Sequence, residues 1–296
     1  MPIVEKVLRT AAFGGSRGVE EPVSDGGAEG VDPMGRWLEG VVCGACGRYA
    51  AATALLEPLS RHRDAVVASL AASALASHRR QLGGHAAALR LDGLALRRAV
   101  EAEETAGSRG RRDDPDGLDG AGALADALLG LAADHLGLGR LAASEVLLTR
   151  AGAVVAASGC WRAETRLGWV RAELALASGR AADAISPAKH ALATAEHRGA
   201  QRHIAKSSLV LAAALVATGE REGAKRARQL ASEALSVVER NGWRSLIWPA
   251  LLLLADLEPE RAFWNRSRVT TELSVLLAST DPVGRRLARD SLWVPI

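Results

Sequence analysis

An all-α array of antiparallel helix pairs is the fold this sequence predicts, and three observations predict it. Aromatic residues make up 3% of the chain, with one Tyr and two Phe, while Ala and Leu fill nearly every segment. Strands are built from β-branched and aromatic residues, so an all-β fold is excluded. The length of 296 residues exceeds a usual compact domain and implies either two domains or one elongated array. Finally, helix-breaking glycines recur in register along the chain, which decides for the array.

The elements follow in order. Residues 1–32 contain GGSRG and SDGGAEGVDP with little apolar periodicity and read as a flexible N-terminal leader, in which VEKVLRTAAF is expected to form a turn or so of helix. Residues 33–257 carry the repeats. A first glycine series stands at Gly47, Gly83, Gly139, Gly179 and Gly219, each between two Ala/Leu-rich segments, as a tight turn between antiparallel helices requires. A second series, Gly159, Gly199 and Gly242, ends the second helix of each pair. Residues 105–122 (TAGSRGRRDDPDGLDGAG) lack an apolar stripe and are expected to form a long surface loop interrupting the array. Residues 258–296 hold a capping helix, with Phe263, Val269, Leu273 and Leu276 at helical spacing, followed by a C-terminal tail.

Packing positions recur with the glycines. Seven residues before each turn glycine stand Gly40, Ala76, Ala132, Ala172 and Ala212, small residues that let helices cross closely. After the turn come the trios Ala52, Leu56, Leu59; Ala88, Asp92, Ala95; Ser144, Leu148, Ala151; Ala184, Ala188, Ala191; and, shifted by three residues, Ala227, Ala231, Ala234. Offsets of four and three place each trio on one helical face. This pattern, with Tyr49 and His85 two residues after their glycines, resembles the tetratricopeptide repeat. The period of about 40 residues is similar to the longer variety in bacterial transcription activators of the maltose-regulator type. The resemblance covers five units and a sixth beginning at Trp243, and implies a right-handed superhelix with a concave interaction face. Neither a phosphate-binding GxxxxGK[ST] nor a recognition helix accompanies it, so only the interaction module carries over.

Net charge is +3, divided unevenly: 17 basic and 20 acidic residues in 1–150 give −3, and 20 basic and 14 acidic in the remainder give +6. That imbalance is too small for a dedicated nucleic-acid binder, so no direct nucleic-acid contact is expected. An acidic partner for the second half is. Only four of the 37 basic residues are Lys, which a GC-rich bacterial coding bias explains as readily as function. With three cysteines and no basic-then-apolar start, the chain is expected in the reducing cytoplasm, without export. The longest uncharged stretches fall short of the roughly 18 apolar residues a membrane span needs, so no membrane partner is expected.

Local motifs for chemistry are weak. Cys43 and Cys46 form a CxxC without a second ligand pair, and small packed cysteines are the expectation. Asp113, Asp114, Asp116 and Asp119 lack the terminal Glu of a calcium loop and stand beside Arg111 and Arg112, so a solvated loop is expected. No cofactor, metal site or catalytic constellation is assigned, and the chain is not expected to be an enzyme.

The resemblance assigns the concave face to the first helix of each unit. It places there Met34, Trp37 and Val41; Ser73, Ser77 and Arg80; Asp126, Leu129 and Ala133; Arg166, Trp169 and Glu173; and Lys206, Leu209 and Ala213. Arg198 and Arg202 precede Lys206 at spacings of four and would line three cations along one side if that helix starts early, or simply form a solvated face. Trp37 and Trp169 either bridge neighbouring units or anchor a ligand. The candidate groove is therefore Trp37, Arg80, Arg166, Trp169, Glu173, Arg198, Arg202 and Lys206. Its expected role is in a scaffold or regulatory adaptor holding a protein or peptide with an acidic segment. The alternative is a sensor that binds a small ligand or short peptide and changes conformation.

Overall fold

The two glycine series are what divide the chain into helices. In the computed structural model, which describes residues 3–14, 32–106 and 114–296, all eight of these glycines have positive φ, and no non-glycine residue among the described ones does. At the turns the N–H after the glycine returns to the carbonyl five residues back, as from Arg48 to Cys43, Arg180 to Ala175 and Trp243 to Val238. This satisfies carbonyls that a helix end would otherwise leave open.

Fourteen α-helices and no strand are present among the described residues. A short α1 (Ile3–Arg9) runs into a π-helical turn (Thr10–Gly14). Five helix pairs follow: α2 (Pro33–Ala45) with α3 (Tyr49–Leu59), α4 (Ala65–Gln81) with α5 (His85–Ala106), α6 (Gly120–Gly137) with α7 (Leu141–Ser158), α8 (Trp161–Ala177) with α9 (Ala181–His197), and α10 (Gln201–Ala217) with α11 (Arg221–Arg240). The chain closes with α12 (Arg244–Leu257), α13 (Ala262–Ala278) and α14 (Pro282–Arg289). From α2 to α13 each helix packs on the next, and α2, α4, α6, α8, α10 and α12 also touch in succession, forming an inner layer.

The repeated positions supply the contacts. Ala76, Ala132, Ala172 and Ala212 are fully buried, and a side chain at the equivalent Gly40 would run into Leu56 of the paired helix. All five trios are buried as well, including Asp92 in the second. Caps fix several starts: the carboxylates of Asp64, Asp119 and Asp281 accept from backbone N–H groups of the helices they precede.

Four expectations need correction. Within the leader 1–32, residues Ile3–Gly14 are helical, and Leu8, Ala12 and Phe13 are buried in one cluster with Trp37, Trp161 and Ala200; an aromatic and two aliphatic side chains at i, i+4, i+5 make an apolar edge that the glycine-rich reading overlooked. The rest of the leader, and residues 107–113 of the loop 105–122, lie outside the described residues. The described end of that loop is not a solvated surface: Asp114 and Asp116 both hold Arg9, at 2.8 and 2.9 Å, and Leu118 is buried. In the capping helix Val269, Leu273 and Leu276 are buried, but Phe263 is 90% exposed, because the buried face of α13 begins at Asn265 and Phe263, two residues earlier, points to the other side.

Last, the two ends of the array meet. The Ala50 N–H donates to the Ser279 carbonyl at 2.9 Å, Arg79 pairs with Asp281 at 2.6 Å, and Tyr49 shares a core with Leu246, Ile247 and Leu276. The α13–α14 segment and the tail residue Val294 therefore pack back onto the first two pairs instead of capping a free end.

Candidate functional site

The inner helices gather charged side chains that would be costly to bury singly. On α4, Arg80 donates to the fully buried Asp92 of α5 at 3.0 Å, to Asp134 of α6, and to the Gly130 carbonyl at 3.2 Å. Two carboxylates thus face one guanidinium. Burial raises the Asp134 carboxyl; Arg80 pulls it down and Asp92 pushes it up again, leaving it at about 8. Asp92 Oδ1 and Asp134 Oδ2 have no other partner, which a proton shared by the pair satisfies. Gly130 is what lets α6 approach: a Cβ there would strike the Asp92 carboxylate. Gly130→Ala is accordingly expected to destabilise by about 1–3 kcal/mol in urea unfolding, whereas Gly139→Ala would act only through its backbone conformation because nothing stands near its Cβ position.

A second cluster lies one unit on. Asp126 of α6 accepts from Arg162 at 3.1 Å and from Arg166, both on α8. Burial alone would raise this carboxyl, but the two guanidiniums overcome it and hold it below the ordinary value. Arg162 also donates to the Asp116 carbonyl and lies over the Phe13 ring at 4.9 Å, so the N-terminal segment is tied to the same group. Beside it Trp161 meets the His203 ring edge-on with centroids 4.9 Å apart, and Trp169 stacks on the same ring at 5.6 Å. Burial, then the neighbouring arginines, keep His203 neutral well below its usual range.

The third group is more open. Trp169 donates from its indole N–H to Ser207 at 2.8 Å, Lys206 lies 5.8 Å from the Trp169 ring centre, and Lys206 pairs with Glu173 at 3.2 Å. Trp169, Glu173 and Lys206 are all half-buried.

The eight candidate residues therefore divide. Arg166, Trp169, Glu173 and Lys206 come together on α8 and α10. Arg80 lies in the neighbouring cluster on α4. Trp37 is 3% exposed against Phe13 and belongs to the core. Arg198 is exposed in the turn after α9, because α10 begins only at Gln201, and so the stripe of three cations is not formed. Arg202 is half-buried and turned toward α12, with Ser245 Oγ at 3.4 Å.

Asp134, Arg162 and His203 complete these clusters and were not singled out by sequence. One signal for the first was available: Asp92 occupies a trio position that elsewhere holds Ala, Leu or Ser, and an acid on a buried face requires partners.

A separate concavity of about 710 Å³ lies on the opposite face of α8, between α7 and α9, with Gly152 and Gly168 in its lining and the Glu164–His190 pair at 2.8 Å on its edge. Helix α7, which borders it, is the one described helix long and apolar enough to cross a membrane by length and composition. Cys43, Cys46 and Cys160 are free thiols, Cys46 half-buried and the others buried. No group of three His, Cys, Asp or Glu suited to a metal occurs among the described residues.

Comparison of the sequence with models of known protein families and with curated proteins gives no match. The class defined by fold and site together is an all-helical array of paired helices with a charged inner layer.

Proposed function

We propose that this chain is a non-enzymatic, cytoplasmic protein–protein interaction scaffold or regulatory adaptor. In this reading it is a right-handed tetratricopeptide-like superhelix whose inner face takes an acidic segment of a partner protein. The observation that carries the reading is the contiguous, half-exposed group on α8 and α10, where the Lys206 ammonium stands over the Trp169 ring beside Arg166. A partly open aromatic supplies contact area for an apolar anchor, and neighbouring cations steer a carboxylate-bearing segment into register. The segment Ile3–Gly14 supports it further, since Phe13 already lies against Trp37 of α2 and Arg162 of α8 as a bound peptide's anchor would.

A displayed library of random peptides selected on the intact chain tests this. Enrichment of Asp and Glu around one apolar residue is expected. Trp169→Ala should then weaken the selected peptides at least tenfold through faster dissociation, and Lys206→Glu should slow association and flatten its salt dependence. Selection of basic or uncharged peptides, or acidic binders indifferent to both substitutions while the fold persists, would show that the inner face is not the partner surface.

One observation favours the second reading, a sensor of a small ligand. Arg202 reaches the seam where the ends of the array meet and has no carboxylate partner among the described residues.

A further inference from the structure

Most of the buried and half-buried arginines among the described residues hold a carboxylate; Arg285 rests on the Thr280 carbonyl, and two others, both at the α2–α3 turn, have neither a carboxylate nor a carbonyl for their side chains. Arg9, Arg79, Arg80, Arg162 and Arg166 each hold at least one carboxylate. Arg48, which opens α3, and Arg202 of α10 hold none. Their Nε atoms are enclosed and lack any acceptor. What remains to them is poor: Arg48 Nη2 donates to the Cys43 sulfur at 3.5 Å, a weak acceptor, and Arg202 Nη2 to Ser245 Oγ at 3.4 Å. The Ser245 hydroxyl is itself committed to the Ala45 carbonyl at 3.0 Å, which places Arg202 against the turn joining α2 to α3.

Among the described residues no carboxylate pairs with either: Glu272 is taken by Arg244 at 2.8 Å, and Glu39, whose field reaches the Cys43 thiol together with that of Arg48, makes no ion pair with Arg48 or Arg202. The Tyr49 hydroxyl donates to Gln81 at 2.8 Å, and burial pushes its ionisation far up, so it stays neutral. His78 is neutral too, pushed down to about 3 by burial and by Arg202. At Cys46, burial raises the thiol while Arg48, Arg202 and Arg244 all act to lower it, so that the positive fields of three arginines overlap at one half-buried atom group. Burial also lowers the Arg202 guanidinium itself, the signature of a charge without compensation. Cys46, Arg48, Arg202 and Arg244 are each half-buried, so the seam is not wholly sealed from solvent.

We propose that the seam between the α2–α3 turn and α10 binds a small free oxyanion, phosphate, sulfate or carboxylate in class, held by the guanidiniums of Arg48 and Arg202. Two guanidiniums with unused N–H donors supply the charge-assisted hydrogen bonds such an anion takes, with planar forks that match its oxygens. Because the turn belongs to the first helix pair and Arg202 to the fifth, a bound anion would bridge the two ends of the array. The inference does not use the partner reading, and its failure leaves the Trp169 surface untouched.

Thermal unfolding of the full chain tests it, with sodium phosphate, sulfate and citrate each compared against sodium chloride at equal ionic strength. A saturable rise in Tm of about 3–6 °C at 10 mM is expected for at least one of the three. Arg202→Met should abolish that rise while leaving the Tm in chloride unchanged or higher, since it removes an uncompensated charge. Arg48→Gln should reduce the rise without abolishing the fold. No rise with any of the three anions, a rise that survives Arg202→Met, or an Arg202→Met chain that loses several degrees in chloride or fails to fold would each overturn the proposal. The last result would make Arg202 a structural residue.

Discussion

Replacing Asp126 by Ala is expected to lower stability by about 3–5 kcal/mol, enough to move the thermal midpoint by roughly 10 °C. The reason lies in what the substitution leaves behind. Asp126 is the shared acceptor of Arg162 and Arg166, and Arg162 is buried beneath Phe13 and bound to the Asp116 carbonyl. Without the carboxylate two guanidiniums remain enclosed with one partner fewer each, and the penalty is the desolvation of unpaired charge, not the loss of one favourable contact. Asp126→Asn, which keeps the shape and one acceptor, should fall between Ala and wild type. Removing all three charges at once, as Asp126→Leu with Arg162→Met and Arg166→Met, should recover most of the loss. Chemical unfolding of the four proteins measures it, and a cost for Asp126→Ala below about 1 kcal/mol would mean that water reaches the cluster.

The elements were legible because they obey a period. Turn glycines must supply positive φ, and the positions seven before and five to twelve after each one must be small or apolar for helices to cross, so both appear as registered columns in the sequence. Ala76, Ala132, Ala172 and Ala212, and the five trios, are buried where the columns place them. Breaks in the period were harder to read. Leu8, Ala12 and Phe13 lie outside any column, and their burial depends on Trp37, Trp161 and Ala200, three residues that come together only when the array is assembled.

The site was legible in part for the same reason. Projecting positions onto the first helices brought Arg166, Trp169, Glu173 and Lys206 together, since α8 and α10 are neighbours in the inner layer. Which of the cations are neutralised is a question of long-range pairing. Arg80 meets Asp134 across 54 residues and Arg79 meets Asp281 across 202, separations no local pattern encodes. The contact of the ends also turned Arg202 from a groove cation into a residue of the seam with Ser245 and Cys46.

Above neutral pH, the wild type is expected to lose stability relative to Asp134→Asn. The Asp134 carboxyl sits at about 8 in the native protein against an ordinary value of 3.8. The native state therefore keeps a proton that the unfolded chain releases, and the contribution is complete below the ordinary carboxylate range and lost as pH climbs through about 8. Four histidines work the other way over a lower window. Burial holds His78 at about 3 and His85 at about 4, with His135 and His203 also depressed, so the unfolded chain takes up protons there that the native chain refuses, and stability rises with pH up to and somewhat beyond about 6.5. The carboxylates held low by Arg9, Arg79 and the Arg162–Arg166 pair act in the same direction, but only in acid, as pH falls through their depressed native values. Between about pH 7 and 8 the unfolded histidines still shed their last protons, and the buried thiols of Cys43, Cys46 and Cys160, raised from 9, begin to act against them, so the proton that Asp134 shares with the raised Asp92 is read from the difference between wild type and Asp134→Asn. One proton changes stability by at most about 1.4 kcal/mol per pH unit, so the wild type is expected to lose up to roughly 1 kcal/mol relative to Asp134→Asn across that interval. Asn at position 134 still accepts from Arg80 and donates toward Asp92 without a titrating proton, so its advantage over the wild type should be larger at pH 8.5 than at pH 7. Urea unfolding at half-unit intervals from pH 5 to 9 gives both curves. Parallel slopes for the two proteins above pH 7 would show that Asp92 and Asp134 are both ionised around Arg80 and share no proton.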